Sequence, residues 1–148
     1  MVAPAYMPKE KGFPPTLVDQ ALDDALASSA AVPVLALSGL QGSGKSTLAR
    51  QMVQRARMRG LHAATLSIDD VYLPRVHRQR LARTVHPLLV TRGPPGTHDL
   101  PLAHEVLDAV QGRRPVALPR FDKLADERLP FAHWQHVQRP LDLLVFEG

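Results

Sequence analysis

The sequence predicts an α/β fold, a mostly parallel sheet flanked by helices. Three observations predict it. Apolar runs at Val32–Ser38, Leu61–Ile68 and Leu141–Phe146 have the length and continuity of buried strands. An amphipathic stretch, Ser46–Arg59, lies between the first two and is closed by Gly60. The first run leads directly into Gly39-Leu40-Gln41-Gly42-Ser43-Gly44-Lys45-Ser46-Thr47, which reads G-x-x-x-x-G-K-S and opens that helix.

The order strand, glycine-rich loop, helix is that of a phosphate-binding P-loop, so the expected architecture is the three-layer P-loop NTPase fold. Gly39, Gly42 and Gly44 allow backbone angles that a Cβ would block, and the loop can then turn its N–H groups inward. The helix N-terminus points its positive end at the same place. Lys45 adds a mobile charge for the β- and γ-phosphates, and Ser46 offers a hydroxyl to Mg²⁺. Gln41, Ser43 and Thr47 complete the expected nucleotide-binding set.

The chain has 148 residues, the length of a single domain, 1–148. It carries a net charge of +4, and only Lys9, Lys11, Lys45 and Lys123 are lysines. The arginines are spread over several elements without a basic block or interleaved aromatics. That pattern suits anionic small molecules better than a nucleic acid. The absence of cysteine excludes a disulfide framework and thiolate metal sites. Met1–Pro15 has no signal-peptide core, and no apolar run approaches membrane-spanning length. A cytoplasmic protein without a membrane partner is expected.

The elements follow in order. Met1–Pro15, with four prolines, reads as an extended arm. Thr16-Leu17-Val18-Asp19 has the [ST]-x-x-[DE] form of a helix start, and Leu17, Val18, Ala21, Leu22, Ala25 and Leu26 share a face. After the P-loop and its helix, the second strand ends on Asp69-Asp70. Carboxylates at such a strand end can take a proton from a hydroxyl or meet Mg²⁺, and they can equally be a solvated end or a cap. Pro74–Arg83 is a short basic, helix-compatible segment in which Arg75, Arg78, Arg80 and Arg83 read as a solvated face.

Thr91–Asp99 is a rigid turn-forming loop that delivers the chain into a helix with Leu102, Ala103, Val106, Leu107 and Val110 on one face. Asp99 suits the N-cap of that helix, and His98 is compatible with a plain surface position. Pro115–Leu118 is a short strand leading to Pro119–Lys123 and a charged turn. His133 and His136 are three apart, but no third metal ligand is apparent. Glu147 ends the last strand, where P-loop proteins carry their second acidic motif, near Mg²⁺.

With these stretches in hand, the chain resembles the ATP-dependent D-glycerate 3-kinases, within the wider group of phosphoribulokinase, uridine kinase and bacterial pantothenate kinase. The resemblance rests on "GLQGSGKSTL", "LSIDDVYL", "HPLL", "RGPPGTHDL", "LPRFDK" with a following "DERLP", and "LLVFEG", spanning Pro33 to Gly148. It implies that the Gly39–Thr47 loop holds ATP and that Asp69 takes the proton from the accepting hydroxyl. It implies Asp70 and Tyr72 nearby, Arg92, His98 and Asp99 lining the acceptor pocket, and Arg120, Asp122 and Lys123 approaching from another side. Glu147 would serve Mg²⁺. The implied partner is a small glycerate-like acid, whose carboxylate favours Arg92 or Arg120.

Members of that group continue past the "FEG" motif. The C-terminal part of the family domain is therefore expected to be missing here, leaving a surface open to self-association. Two other functions fit the same motifs. One is a kinase for a nucleoside, pantothenate or another sugar-like alcohol, and the other is a nucleotide-binding module without catalysis. No N-K-x-D guanine-reading motif is present.

Overall fold

Leu143-Leu144-Val145-Phe146-Glu147 is apolar on both of its faces, and it becomes the central strand. The computed structural model of the chain describes residues 12–148. In it, β7 (Leu143–Glu147) lies between β1 (Val34–Leu37) and β2 (Ala63–Ser67), all three parallel, in the order β1-β7-β2. The register sets Leu37 and Ser67 both opposite Glu147, so the strands end level with one another.

Alternation along β7 divides the core. Leu143 and Val145 face a cluster with Val18 and Leu22 of α1 (Pro15–Leu26) and Met52 and Val53 of α2 (Lys45–Met58). Leu144 faces the opposite cluster, with Leu66 of β2 and Val106 and Val110 of α4 (Leu100–Gln111). Helices therefore cover both faces of the sheet, the condition for all-parallel pairing. This is the expected three-layer arrangement.

Arginines join α1 to α2. Arg55 makes a paired contact with the Asp19 carboxylate, and Arg59 reaches both Asp19 and Asp23. The Arg55 and Arg59 hydrogen bonds lower the Asp19 pKa to about 2.

α1 begins earlier than its capping pattern predicts. Pro14 is the N-cap and Pro15 the first helical residue, with Leu17 and Val18 donating backbone N–H bonds to Pro14 O. A proline at the first helical position loses no hydrogen bond, so it outcompetes Thr16 for the start. Of the expected extended arm, residues 1–11 lie outside the described residues. Phe13 is pinned to α2, its N–H donating to Gln51 Oε1 at 2.9 Å and its carbonyl accepting from Gln51 Nε2 at 3.1 Å.

The segment after β2 is helical, α3 (Arg75–Thr84), but it is not a wholly solvated face. Arg78 is fully buried. Its guanidinium donates to Leu73 O, Val90 O and both Asp126 O and Asp126 Oδ1, at 2.7–3.0 Å. The expected strand at residues 115–118 forms as β3 (Val116–Leu118), outside the main sheet and antiparallel to β6 (Gln135–Val137). The charged turn is closed by a two-stranded hairpin of β4 (Phe121–Asp122) and β5 (Glu127–Arg128). Among the described residues, no helix is long and apolar enough to cross a membrane.

Leu144 sits at the centre of the sheet and is completely buried. Leu144→Ala is expected to lower stability by about 2–5 kcal/mol, because the neighbouring strands prevent collapse into the cavity. Denaturant unfolding measures it, and a loss below 1 kcal/mol would contradict the central position of β7.

Candidate active site

Level strand ends place three segments around one opening. At the end of β1 the loop turns through Gly42 (φ 78°) and Gly44 (φ 92°), both in the left-handed region open to glycine. Gly44 is also crowded, since a Cβ there would meet the Phe13 ring at 3.1 Å. α2 starts at Lys45. Its Nζ folds back to donate to Gly39 O at 2.8 Å and Leu40 O at 2.9 Å. Ser46 Oγ donates to Glu147 Oε1 at 3.0 Å, joining the loop to the end of β7.

The two aspartates after β2 have separate environments. Ser67 caps a 3-10 turn over Ile68–Val71, and its Oγ accepts from the Asp69 N–H. The Asp70 carboxylate closes the reciprocal half of this capping box on the Ser67 N–H at 3.2 Å. It also accepts from the Phe121 N–H at 3.2 Å and from Arg120 at 3.3 Å. Burial pushes the Asp70 carboxyl up, with the Arg120 charge opposing. Asp70 is thus occupied within the frame. Asp69 turns its carboxylate to the opening, 2.5 Å from Lys123 Nζ. The hydrogen bond to Asp69 raises the Lys123 pKa.

The wall opposite the P-loop is aromatic and cationic. Tyr72 is buried and stacks on His98, ring centroids 4.3 Å apart. Burial, and then the Asp69 charge, raise the Tyr72 pKa. The Arg92 guanidinium lies 5.2 Å from the Phe121 ring centroid and 5.9 Å from that of Tyr72. Its Nε is 3.1 Å from Asp126 Oδ1, and its Nη2 donates to Lys123 O at 3.3 Å.

A cavity of about 590 Å³ results. Of the residues expected at the site, Gly39, Gln41, Gly42, Lys45 and Ser46 line it on the loop side. Asp69, Tyr72, Arg92, Lys123 and Glu147 line the remainder. Ser43, Gly44 and Thr47 belong to the loop and helix start without lining it.

Four expected acceptor contacts are used elsewhere. Asp99 Oδ1 caps α4 by accepting from the Leu102 N–H, and its Oδ2 accepts from Arg128 at 2.9 Å. His98 lies behind Tyr72, and its Nε2 is buried without a partner among the described residues. Asp122 Oδ1 accepts from the Leu124 and Ala125 N–H groups and so shapes the hairpin turn. Arg120 donates to Asp70, Thr65 O, Pro119 O and Gln135 Oε1, holding the frame from behind.

Ser67, Ile68, Thr91 and Gly93 also line the cavity without having been singled out in the sequence. Ser67 carried a readable signal: Ser67-Ile68-Asp69-Asp70 is itself an S-x-x-D capping pattern. Thr91 and Gly93 carried no chemical one.

No protein-family model matches the chain. The chain is 34% identical over 127 residues to the chloroplastic D-glycerate 3-kinase of Arabidopsis thaliana, which covers 78% of this chain and 27% of that protein. It is 38% identical over 124 residues to an uncharacterised kinase of Schizosaccharomyces pombe, covering 78% of this chain and 45% of that one. Among solved structures, the D-glycerate 3-kinase of Cryptococcus neoformans superposes with a TM-score of 0.69 at 31% identity, over 90% of this chain and 49% of its own.

Its relatives are the D-glycerate 3-kinase-like P-loop kinases.

The chain spans about a quarter to a half of the length of the curated relatives it matches. The fold described here is thus shared with the Cryptococcus structure over 90% of this chain.

His98 gives the site a pH signature. Burial lowers its pKa below the ordinary 6.5, with Asp69 opposing. The unfolded chain accepts this proton near 6.5, and the folded chain accepts it only at lower pH. Protons in that window therefore favour unfolding, and stability falls as pH drops below 6.5. His98→Phe keeps the stacking ring and removes the proton site. Its denaturant midpoint is expected to fall less steeply than the native one between pH 6.5 and 5. Parallel pH profiles would refute the burial of a neutral imidazole.

Proposed function

We propose that this protein is an ATP-dependent small-molecule kinase that phosphorylates the hydroxyl of D-glycerate or a similar small hydroxy acid. One observation carries the reading: Asp69 shares a single cavity with Lys45, Ser46 and Glu147, while its neighbour Asp70 is consumed by the frame. A phosphate site and an accessible carboxylate besides the one at Ser46 are what in-line transfer to an alcohol requires. The D-glycerate 3-kinase names of the relatives in Arabidopsis and Cryptococcus support the choice of acceptor.

The roles follow from placement. Inward N–H groups of the loop and the start of α2 receive the phosphates of ATP. Lys45, resting on the carbonyls of Gly39 and Leu40, transfers its ammonium to phosphate oxygens when they arrive. Asp69 accepts the proton of the attacking hydroxyl. Arg92, its guanidinium over the Tyr72 and Phe121 rings, receives the acceptor carboxylate. Lys123 lies beside Asp69 and adds positive charge where the transferring group passes.

The residues present fit Mg²⁺. Ser46 Oγ and Glu147 Oε1 are hard oxygen donors 3.0 Å apart. Mg²⁺ sites in phosphate chemistry use one or two protein oxygens and complete the shell with phosphate and water. Among the described residues no group of three or more acidic or histidine side chains gathers as a separate metal cage. Bound there, Mg²⁺ would neutralise charge on the β- and γ-phosphates.

The test is ADP release from MgATP by the protein, with and without D-glycerate. Glycerate-dependent release is expected, and its absence at saturating ATP would count against glycerate as acceptor. Asp69→Asn is expected to lower the turnover by about 10²–10⁴-fold while leaving nucleotide affinity nearly unchanged. Normal turnover in that variant would remove Asp69 as the base. Lys45→Ala is expected to depress transfer to every acceptor tried, and an acceptor that escaped this loss would show that the P-loop is not the donor site.

A further inference from the structure

The turn of the β4–β5 hairpin holds an unassigned carboxylate in contact with the cavity wall. Asp126 lies outside the cavity lining, yet its Oδ1 is 3.1 Å from Arg92 Nε. The same oxygen accepts from Arg78 Nη2 at 2.8 Å. Asp126 has φ 55°, in the left-handed region. That conformation brings its backbone carbonyl to Arg78 as well, at 3.0 Å. One buried guanidinium therefore grips both polar arms of Asp126.

Arg78 is itself fixed. Its side chain is only 1% exposed, and it ties together the chain before α3 at Leu73, the segment after it at Val90, and the hairpin turn. Asp126 is the one carboxylate it meets among the described ion pairs. A buried guanidinium without its carboxylate is costly, so this pair has little freedom to separate.

We propose that Asp126, anchored by buried Arg78, is the positioning residue for Arg92. This inference rests on the kinase reading above, and it names the device that makes that site selective for a carboxylate-bearing acceptor. Arg92 has an aromatic surface on one side, Asp126 on its Nε and Lys123 O on Nη2. Among the described residues its Nη1 makes no hydrogen bond. The guanidinium is thereby held in one plane with a donor edge left for an incoming anion. Pre-set planar donors bind a carboxylate in paired geometry and lose less freedom on binding than a mobile side chain. A single carboxylate shared by two guanidiniums also leaves net positive charge at this wall. The wall attracts an anion although an acid is built into it.

The test uses Asp126→Asn, because asparagine tolerates the left-handed backbone and keeps an oxygen for Arg78. Two readouts are taken on the whole protein. The first is the mobility of the Arg92 guanidinium, read as its Nε order parameter by NMR relaxation, which needs no activity. A lower order parameter in Asp126→Asn is expected, with the pattern of backbone amide shifts in β1, β2 and β7 unchanged. An unchanged order parameter would overturn the proposal. The second is acceptor kinetics with D-glycerate and with glycerol, its uncharged analogue.

The KM for D-glycerate is expected to rise about fivefold with kcat nearly kept, the size of one partly buried charge contact. The glycerol kinetics are expected to stay as in the native protein. An equal loss with both acceptors would mean a merely structural role and would also overturn the proposal. If neither acceptor stimulates the native protein while Asp126→Asn still loosens the Arg92 guanidinium, the acceptor assignment fails and the positioning of Arg92 stands.

Discussion

The parallel register of β7 against both neighbours is the constraint on which the site depends. Glu147 pairs in register with Leu37 on one side and Ser67 on the other, so the loop after β1 and the turn after β2 emerge at one level. A slip of one residue in β7 would exchange Leu144 with Leu143 and Val145 between the two cores. It would also carry Glu147 away from Ser46 Oγ. Burial on both faces therefore fixes the chemistry at the strand ends, although none of the buried residues of the two core clusters lines the cavity.

The two sides of the cavity are built by different means. The P-loop side hangs from the sheet and from α2. The opposite side is irregular chain, gathered by arginines into a fixed shape. Arg120 links the outer carbonyl of Thr65 to Asp70 and Gln135, while Arg57 takes the outer carbonyl of Ala63. These contacts blunt the edge of β2 against further strand pairing. They also settle Asp70 in the frame and leave Asp69 facing outward. Arg78 and Arg128 work similarly on the segments around α3 and α4. The guanidiniums of Arg57, Arg78, Arg120 and Arg128 thus serve as scaffolding, in keeping with the multiple fixed donors of guanidinium.

The sheet, the flanking helices and the P-loop were legible in the sequence because each has a local signature: apolar runs, helical periodicity and glycines before a lysine. The aspartate pair was legible as a place but not as a division of labour. The pattern that decides it, Ser67 to Asp70, is a capping box, the same kind of signal that misplaced the start of α1 at Thr16. There a proline at the first helical position prevailed, and here the reciprocal bonds formed. Arg78 was unreadable for a different reason. Its sequence neighbours Arg75, Arg80 and Arg83 suggest a solvated face, and its partner Asp126 lies 48 residues away. Asp122 and Arg120 fall in one short motif with Lys123, yet only Lys123 reaches the cavity, because the hairpin that sorts them is fixed by pairing across the turn.

The proposed joint use of this cavity by a nucleotide and an acid is open to a direct check. The protein would be incubated with Mg²⁺, D-glycerate and ATP labelled in the γ-phosphate, and the label followed by chromatography. Label recovered on glycerate, in native protein and not in Asp69→Asn, is the predicted result. Label remaining on ATP, or released only as inorganic phosphate, would contradict transfer to a hydroxyl held at Asp69.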